Sequence, residues 1–286
     1  MIYSERALHA GSRIAGIRIH HTRFKEALEG IGRVVQLGNY FRHPVGVSII
    51  APAGSGKTLL IDSVQTNVCE WPFLSPNSVI VASLKEAPTV SQIQDDLLAN
   101  FNYAIPPRSR PRTNAALFNV LADAIEQHDI RLIALDEFQH VFLARKVEVH
   151  AAIIDWTKRL MSRTACPVLL SGTETLKSIE RADPQLSTRI PTVITLPAFG
   201  NDEDWRGILQ AFASAVPEVD LSSLCTEYAT AIFKATKGTM RLLKSLVIES
   251  SMIAIDKSER EVNKNHLGLA FRRVFGADTS SVNPFE

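Results

Sequence analysis

Up to Pro197 the chain alternates between short apolar runs and longer segments whose apolar residues recur at helical spacing; beyond it only the helical spacing remains. The short runs are Val45, Val47, Ile49 and Ile50, then residues 79–84, 131–137, 168–171 and 193–196. Continuous apolar stretches of this length, divided by helical segments, predict strands buried on both faces, hence a parallel sheet with helices on either side. Among the intervening helices are one starting near Leu59, one over 91–101 and one over 114–127, where Leu117, Phe118, Leu121 and Ile125 share a face. After Pro197, helices are expected at 201–215, 221–235, 239–255 and 263–274, with Gly200-Asn201-Asp202 supplying the turn and cap between the regions. The reading is α/β: a mostly helical lead-in over 1–40, a parallel-sheet domain over 41–200, a small all-helical domain over 201–275, and a flexible or partner-dependent tail over 276–286. No internal repeat interrupts this order.

Composition narrows the class. With 286 residues, 45% of them hydrophobic, the chain can bury a substantial core without staples. Its three cysteines, Cys69, Cys166 and Cys225, are far apart and form no CxxC pair, which argues against a disulfide framework or zinc site and for buried thiols in a reducing compartment. Met1-Ile2-Tyr3-Ser4-Glu5-Arg6 lacks the apolar core of a signal peptide, and no apolar run approaches a membrane span, so a soluble, cytoplasmic protein is expected. A net charge of +1 excludes nucleic-acid binding by overall charge. The clearest local basic feature is Arg108, Arg110 and Arg112 in a proline-broken segment, which reads equally as a solvated loop or as an extended contact surface.

The chemistry concentrates after two of the expected strands. Ala51-Pro52-Ala53-Gly54-Ser55-Gly56-Lys57-Thr58 follows an apolar run and opens a helix, the setting of a phosphate-binding loop. In such a loop the backbone N–H groups surround a triphosphate, Lys57 reaches its outer phosphates, and the Thr58 hydroxyl holds Mg²⁺. The residues assigned to ATP are Ala53, Gly54, Ser55, Gly56, Lys57, Thr58 and Leu59; Ala51 departs from the usual glycine at the first position. Further on, Arg131-Leu132-Ile133-Ala134-Leu135-Asp136-Glu137 is a buried run ending in two carboxylates. Asp136 is suited to binding Mg²⁺ through water, with Thr58, and Glu137 to orienting or deprotonating the water that attacks the γ-phosphate.

A P-loop sheet domain followed by a helical domain resembles the AAA+ ATPases. The resemblance implies three more site residues. Thr173, just past Val168-Leu169-Leu170-Ser171-Gly172, matches the polar residue called sensor 1, with Ser171 as the alternative. Arg189, in Gln185-Leu186-Ser187-Thr188-Arg189-Ile190, matches an arginine finger acting on a neighbouring subunit's ATP. Arg241, in Gly238-Thr239-Met240-Arg241, matches the sensor 2 arginine.

Within AAA+ the chain is similar to the TniB/TnsC group of transposition regulators, relatives of MuB-like and ExeA-like ATPases. The similarity rests on Leu135-Asp136-Glu137-Phe138-Gln139-His140, Leu170–Leu176, residues 185–190 and Leu196-Pro197-Ala198-Phe199. It implies an ATP-dependent, DNA-binding regulator that assembles as a ring or helical filament on double-stranded DNA, with Arg108, Arg110 and Arg112 facing the DNA. It also implies transposase and target-selection partners. Two rivals stand beside it: an ExeA-like or chaperone-type ATPase acting on protein partners, and a nucleotide-switched scaffold with negligible hydrolysis.

Overall fold

The two helices of the N-terminal lead-in belong to different parts of the molecule. In the computed structural model, which describes residues 2–101, 113–143, 147–276 and 282–286, contacts divide the chain into two units. One comprises the residues up to Thr22, the turn Gly54–Gly56 and everything from Pro197; the other comprises Arg23–Ala53 and Lys57–Leu196. Helix α1 (Glu5–Gly16) falls in the first, and all of α2 (Thr22–Phe41) beyond Thr22 in the second.

The second unit is built on five parallel strands: β1 (Gly46–Ile50), β2 (Val79–Ser83), β3 (Leu132–Asp136), β4 (Val168–Gly172) and β5 (Thr192–Thr195), in the order β2-β3-β4-β1-β5. Alternate residues of a strand point to opposite faces, so each continuous apolar run supplies two cores. On one face Ile133, Leu135, Val168 and Leu170 share a buried cluster with Leu97 of α4 (Val90–Ala99), Leu121 of α5 (Asn114–Gln127) and Leu160 of α7 (Val147–Thr164). On the other, Leu132, Ala134, Leu169 and Ile49 join Ile31 and Val35 of α2 and Leu60 and Val64 of α3 (Lys57–Gln65). The short helix α6 (Gln139–Leu143) leaves β3, and α8 (Ile179–Ala182) and α9 (Pro184–Arg189) lie between β4 and β5. Local chemistry fixes the helix starts. Thr89 and Gln92 form a capping box at α4, and at α9 the Asp183 carboxylate accepts from the Leu186 N–H at 2.7 Å, with Pro184 in the first turn.

In the helical unit, α10 (Glu203–Ala215), α11 (Ser222–Cys225), α12 (Ala229–Thr236), α13 (Met240–Asp256) and α14 (Lys264–Phe275) enclose a separate core with α1. The single helix expected over 221–235 is two. The N–H groups of Glu227 and Tyr228 both turn back to the Ser223 carbonyl, ending α11, and the fully buried Trp205 indole donates to the Ala229 carbonyl at 3.1 Å where α12 begins. The tail, expected to be flexible or partner-dependent, is described at 276 and over 282–286. Phe285 is buried against the helical core, and the Glu286 carboxylate pairs with Arg272. Of the cysteines, Cys166 is buried, and burial pushes its thiol up; Cys225 is half-buried and Cys69 exposed, so the expectation of buried thiols holds for Cys166 alone.

Gly238 is required by its backbone. It has φ +67°, and a Cβ there would lie 2.0 Å from the Phe199 carbonyl oxygen, whose residue also donates its N–H to the Gly238 carbonyl at 3.0 Å. We expect Gly238→Ala to destabilise the protein by at least about 2 kcal/mol, read as a lower denaturation midpoint; an unchanged midpoint contradicts this account.

Candidate functional site

Strand order sets where the chemistry meets. Because β4 lies between β1 and β3, the segments leaving the C-terminal ends of these three strands are neighbours, at the kind of edge where open parallel sheets bind ligands. The ladder continues past the strand ends: Ala51 N–H donates to the Gly172 carbonyl at 3.0 Å and Phe138 N–H to the Ser171 carbonyl at 2.8 Å. Both loops are thereby tied to β4 as well as to their own strands.

Lys57 is 5% exposed, and its ammonium donates to the Ala51 and Pro52 carbonyls at 3.0 and 3.2 Å. These partners are neutral, so a buried positive charge is held ready for an anion. Gly54 and Gly56 take φ +78° and +95°, conformations that glycine adopts without steric cost. The Thr58 hydroxyl donates to Asp136 Oδ2 at 3.1 Å, while Asp136 Oδ1 accepts the Glu137 N–H at 2.9 Å. A buried carboxylate with a hydroxyl beside it suits a hard divalent cation that keeps other oxygens from water or substrate. Among the described residues, no three His, Cys, Asp or Glu side chains form a cluster that could hold a metal. The Thr58 hydroxyl and the Asp136 carboxylate would suit Mg²⁺ brought with phosphate, as in a P-loop site.

Glu137 is half-buried with φ +55°, unusual for a residue bearing a Cβ. Its carboxylate accepts from the Gln139 side-chain amide, a contact between residues on either side of Phe138. Sequence reading gave Gln139 no role; its nearness to Glu137 was visible, but the burial of its side chain was not.

Ser171 and Thr173 separate in the structure. Ser171 is fully buried within β4, its hydroxyl without a hydrogen-bond partner among the described residues, whereas Thr173 lies half-buried past the strand with its Oγ1 3.3 Å from Thr175 Oγ1. Leu59 is half-buried and packs against the core shared with α2. In the helical unit, which includes the Gly54–Gly56 turn, the Arg241 backbone N–H donates to the Gly54 carbonyl at 3.2 Å. Arg189, at the end of α9, donates to the Lys158 carbonyl and the Ser162 hydroxyl of α7, both at 2.6 Å. It is not brought to Lys57, Asp136 or Glu137 by any hydrogen bond within the chain described. Lys158 also binds Asp183, the α9 cap. Burial acts to raise the Asp183 carboxyl, but the Lys158 ammonium and backbone N–H groups outweigh it and hold the group below its usual range. Arg108, Arg110 and Arg112 lie outside the described residues.

This fold, a parallel-sheet domain flanked by helices and followed by a helical domain, is that of the P-loop AAA+ ATPases. A family model described as bacterial TniB protein matches residues 14–201, more than half of the chain, and the chain belongs to that family. No curated protein matches its sequence. Solved structures share the fold at low identity. The ORC2 protein of Aeropyrum pernix, in ADPNP–ADP complexes, is 16% identical with TM-score 0.67, covering 93% of this chain and 69% of its own. Cdc6p from Pyrobaculum aerophilum is 14% identical with TM-score 0.65, covering 87% and 66%. The Aeropyrum pernix ORC1 protein, solved in complex with DNA, is 16% identical with TM-score 0.60, covering 90% and 66%. Among the described residues, no helix is long and apolar enough to cross a membrane.

Proposed function

We propose that this TniB-family protein is a cytoplasmic ATPase that assembles on double-stranded DNA as a ring or helical filament and recruits or activates a transposase. The observation that carries the enzymatic part is the contact of the Thr58 hydroxyl with Asp136, adjacent to Glu137, beside the buried Lys57 ammonium. Bound ATP with Mg²⁺ would supply a reactive phosphoanhydride and a metal that draws charge from its phosphate oxygens. The chain's own residues have separable tasks. Lys57 and the N–H groups of the loop bind phosphate, Thr58 and Asp136 hold the metal, Glu137 orients or deprotonates water, and Thr173 or Ser171 helps to place that water. Arg189 would complete the site of a neighbouring subunit and Arg241 would contact the nucleotide of its own, so that ATP favours assembly and hydrolysis favours release.

DNA is the part of the proposal that separates it from a protein-directed ATPase, because the ATPase core serves many functions. Replacing Arg108, Arg110 and Arg112 together with Ala is expected to abolish DNA-dependent assembly and DNA stimulation of ATP turnover while leaving ATP binding intact. Each phosphate contact contributes about −0.9 to the slope of log affinity against log salt, so each contacting Arg removed should flatten the slope by about one unit per subunit. The loss should be nearly independent of DNA sequence, since phosphate contacts carry little base information. Unchanged affinity and salt slope in the triple variant would remove this segment from the DNA interface. Absence of both DNA binding and DNA-stimulated turnover in the wild type would favour a protein partner instead.

A further inference from the structure

Gln139 is 5% exposed, and its carboxamide nitrogen donates to Glu137 Oε2 while its oxygen finds no hydrogen-bond partner among the described residues. The orientation follows from chemistry, because the opposite one would place an amide oxygen against a carboxylate oxygen. Its wall is β4: a Cβ built on Gly172 would fall 2.6 Å from Gln139 Oε1 and 2.3 Å from Leu176 Cδ1, so glycine at 172 leaves the space that the carboxamide uses. The main chain beneath is held independently, with Phe138 fully buried and its N–H bonded to the Ser171 carbonyl at 2.8 Å. The backbone of Glu137 itself is in the left-handed region. Glu137 thus extends from a fixed, uncommon backbone conformation, and the carboxamide is the one hydrogen-bonding side chain seen on its carboxylate among the described residues.

We propose that Gln139 is a positioning residue for Glu137: it fixes the direction of the carboxylate that acts on water, leaving phosphate and metal binding to Lys57, Thr58 and Asp136. The proposal rests on the ATPase reading above. Among the described residues the buried carboxamide is hydrogen-bonded to the carboxylate alone, so its removal withdraws orientation from Glu137 without breaking another polar contact seen there. Misplacing a reacting group by about 1 Å can cost on the order of a hundredfold in rate.

The test uses the full chain with Gln139→Leu, which keeps volume and loses the donor, and Gln139→Asn, which keeps a shorter amide. Gln139→Leu is expected to bind a fluorescent ATP analogue within about twofold of wild type and to lower the single-turnover hydrolysis rate about 10- to 100-fold, with Gln139→Asn between the two. In a Glu137→Gln background, Gln139→Leu should produce little further loss, because its effect passes through the carboxylate. A nucleotide-free readout stands beside these: in protein labelled with ¹⁵N-glutamine, the Gln139 side-chain amide should be protected from exchange, and Glu137→Ala should remove the protection. Wild-type turnover in Gln139→Leu, an equal loss of nucleotide binding, or rate losses that multiply in the double variant would overturn the proposal. If Gln139→Leu does not fold, Gln139→Asn and the amide measurement decide it by the same criteria. A wild-type protein that binds but never hydrolyses ATP overturns the functional reading instead, and the amide measurement still decides whether Gln139 holds Glu137.

Discussion

Lys57→Ala is expected to abolish ATP binding, whereas Glu137→Gln should bind ATP normally and fail to turn it over. The difference follows from where each group acts. The Lys57 ammonium is buried, with the Ala51 and Pro52 carbonyls as its partners among the described residues, so in the proposed site it would meet phosphate already in the ground state. Charge-assisted hydrogen bonds contribute about 1.5–3 kcal/mol each, and loss of a single one weakens binding by about one to two orders of magnitude. Glu137 matters when water attacks, and removing a general base typically costs about 10²- to 10⁴-fold in rate. The Thr58–Asp136 contact is untouched by Glu137→Gln, so this variant should also trap ATP-bound assemblies on DNA. Titration with a fluorescent ATP analogue and single-turnover hydrolysis separate the two effects. Equal loss of nucleotide binding in both variants would refute the assigned roles.

Arg189→Ala should leave ATP binding unchanged and lower hydrolysis by about 10³- to 10⁵-fold, the range attributed to an arginine finger. Mixing it with Lys57→Ala is expected to restore part of the activity. Only the mixture can pair an intact ATP site on one subunit with an intact Arg189 on another. In the chain described, Arg189 is bound to the Lys158 carbonyl and the Ser162 hydroxyl, so its action on a neighbour requires it to exchange these partners. The variant loses two hydrogen bonds at a half-buried position, with an expected stability cost of about 1–3 kcal/mol. A denaturation curve on the isolated variant separates that cost from lost catalysis. Mixed assemblies that form and remain inactive would exclude a finger acting between subunits.

Much of the architecture was legible because it is written in local chemistry. The continuous apolar run from Leu132 to Leu135 reads as a strand buried on both faces, and β3 lies there, fully buried and ending at Asp136. Glycines before Lys57-Thr58 announce a phosphate loop because the backbone conformations at Gly54 and Gly56 are open to few other residues. The helix over Asn114–Gln127 was read from the face shared by Leu117, Phe118, Leu121 and Ile125, and the structure has those limits, with Thr113 as its cap. These features depend on residues a turn or two apart, so the pattern along the chain contains them.

Other features depend on partners distant in sequence. Helices α1 and α2 have similar amphipathic patterns, yet Ala7, Ala10 and Ile14 enter the helical core while Ile31 and Val35 enter the sheet core, a choice made by which surface each can fill. The break between α11 and α12 accompanies the Trp205–Ala229 contact, and the burial of Phe285 requires the surface of α14; neither is a property of the local run. The carboxamide of Gln139 reaches its place only because β4 brings Gly172 alongside, and Arg189 finds its present partners only because α9 packs on α7. The sequence by itself determined the strands, most of the longer helices and the motifs after β1 and β3, because backbone conformation and periodic burial are local. Tertiary structure alone decided the strand order β2-β3-β4-β1-β5 that makes those motifs neighbours, and with it the contacts of Thr58 with Asp136 and of Gln139 with Glu137, since packing complementarity and the pairing of buried polar groups exist only once distant segments meet.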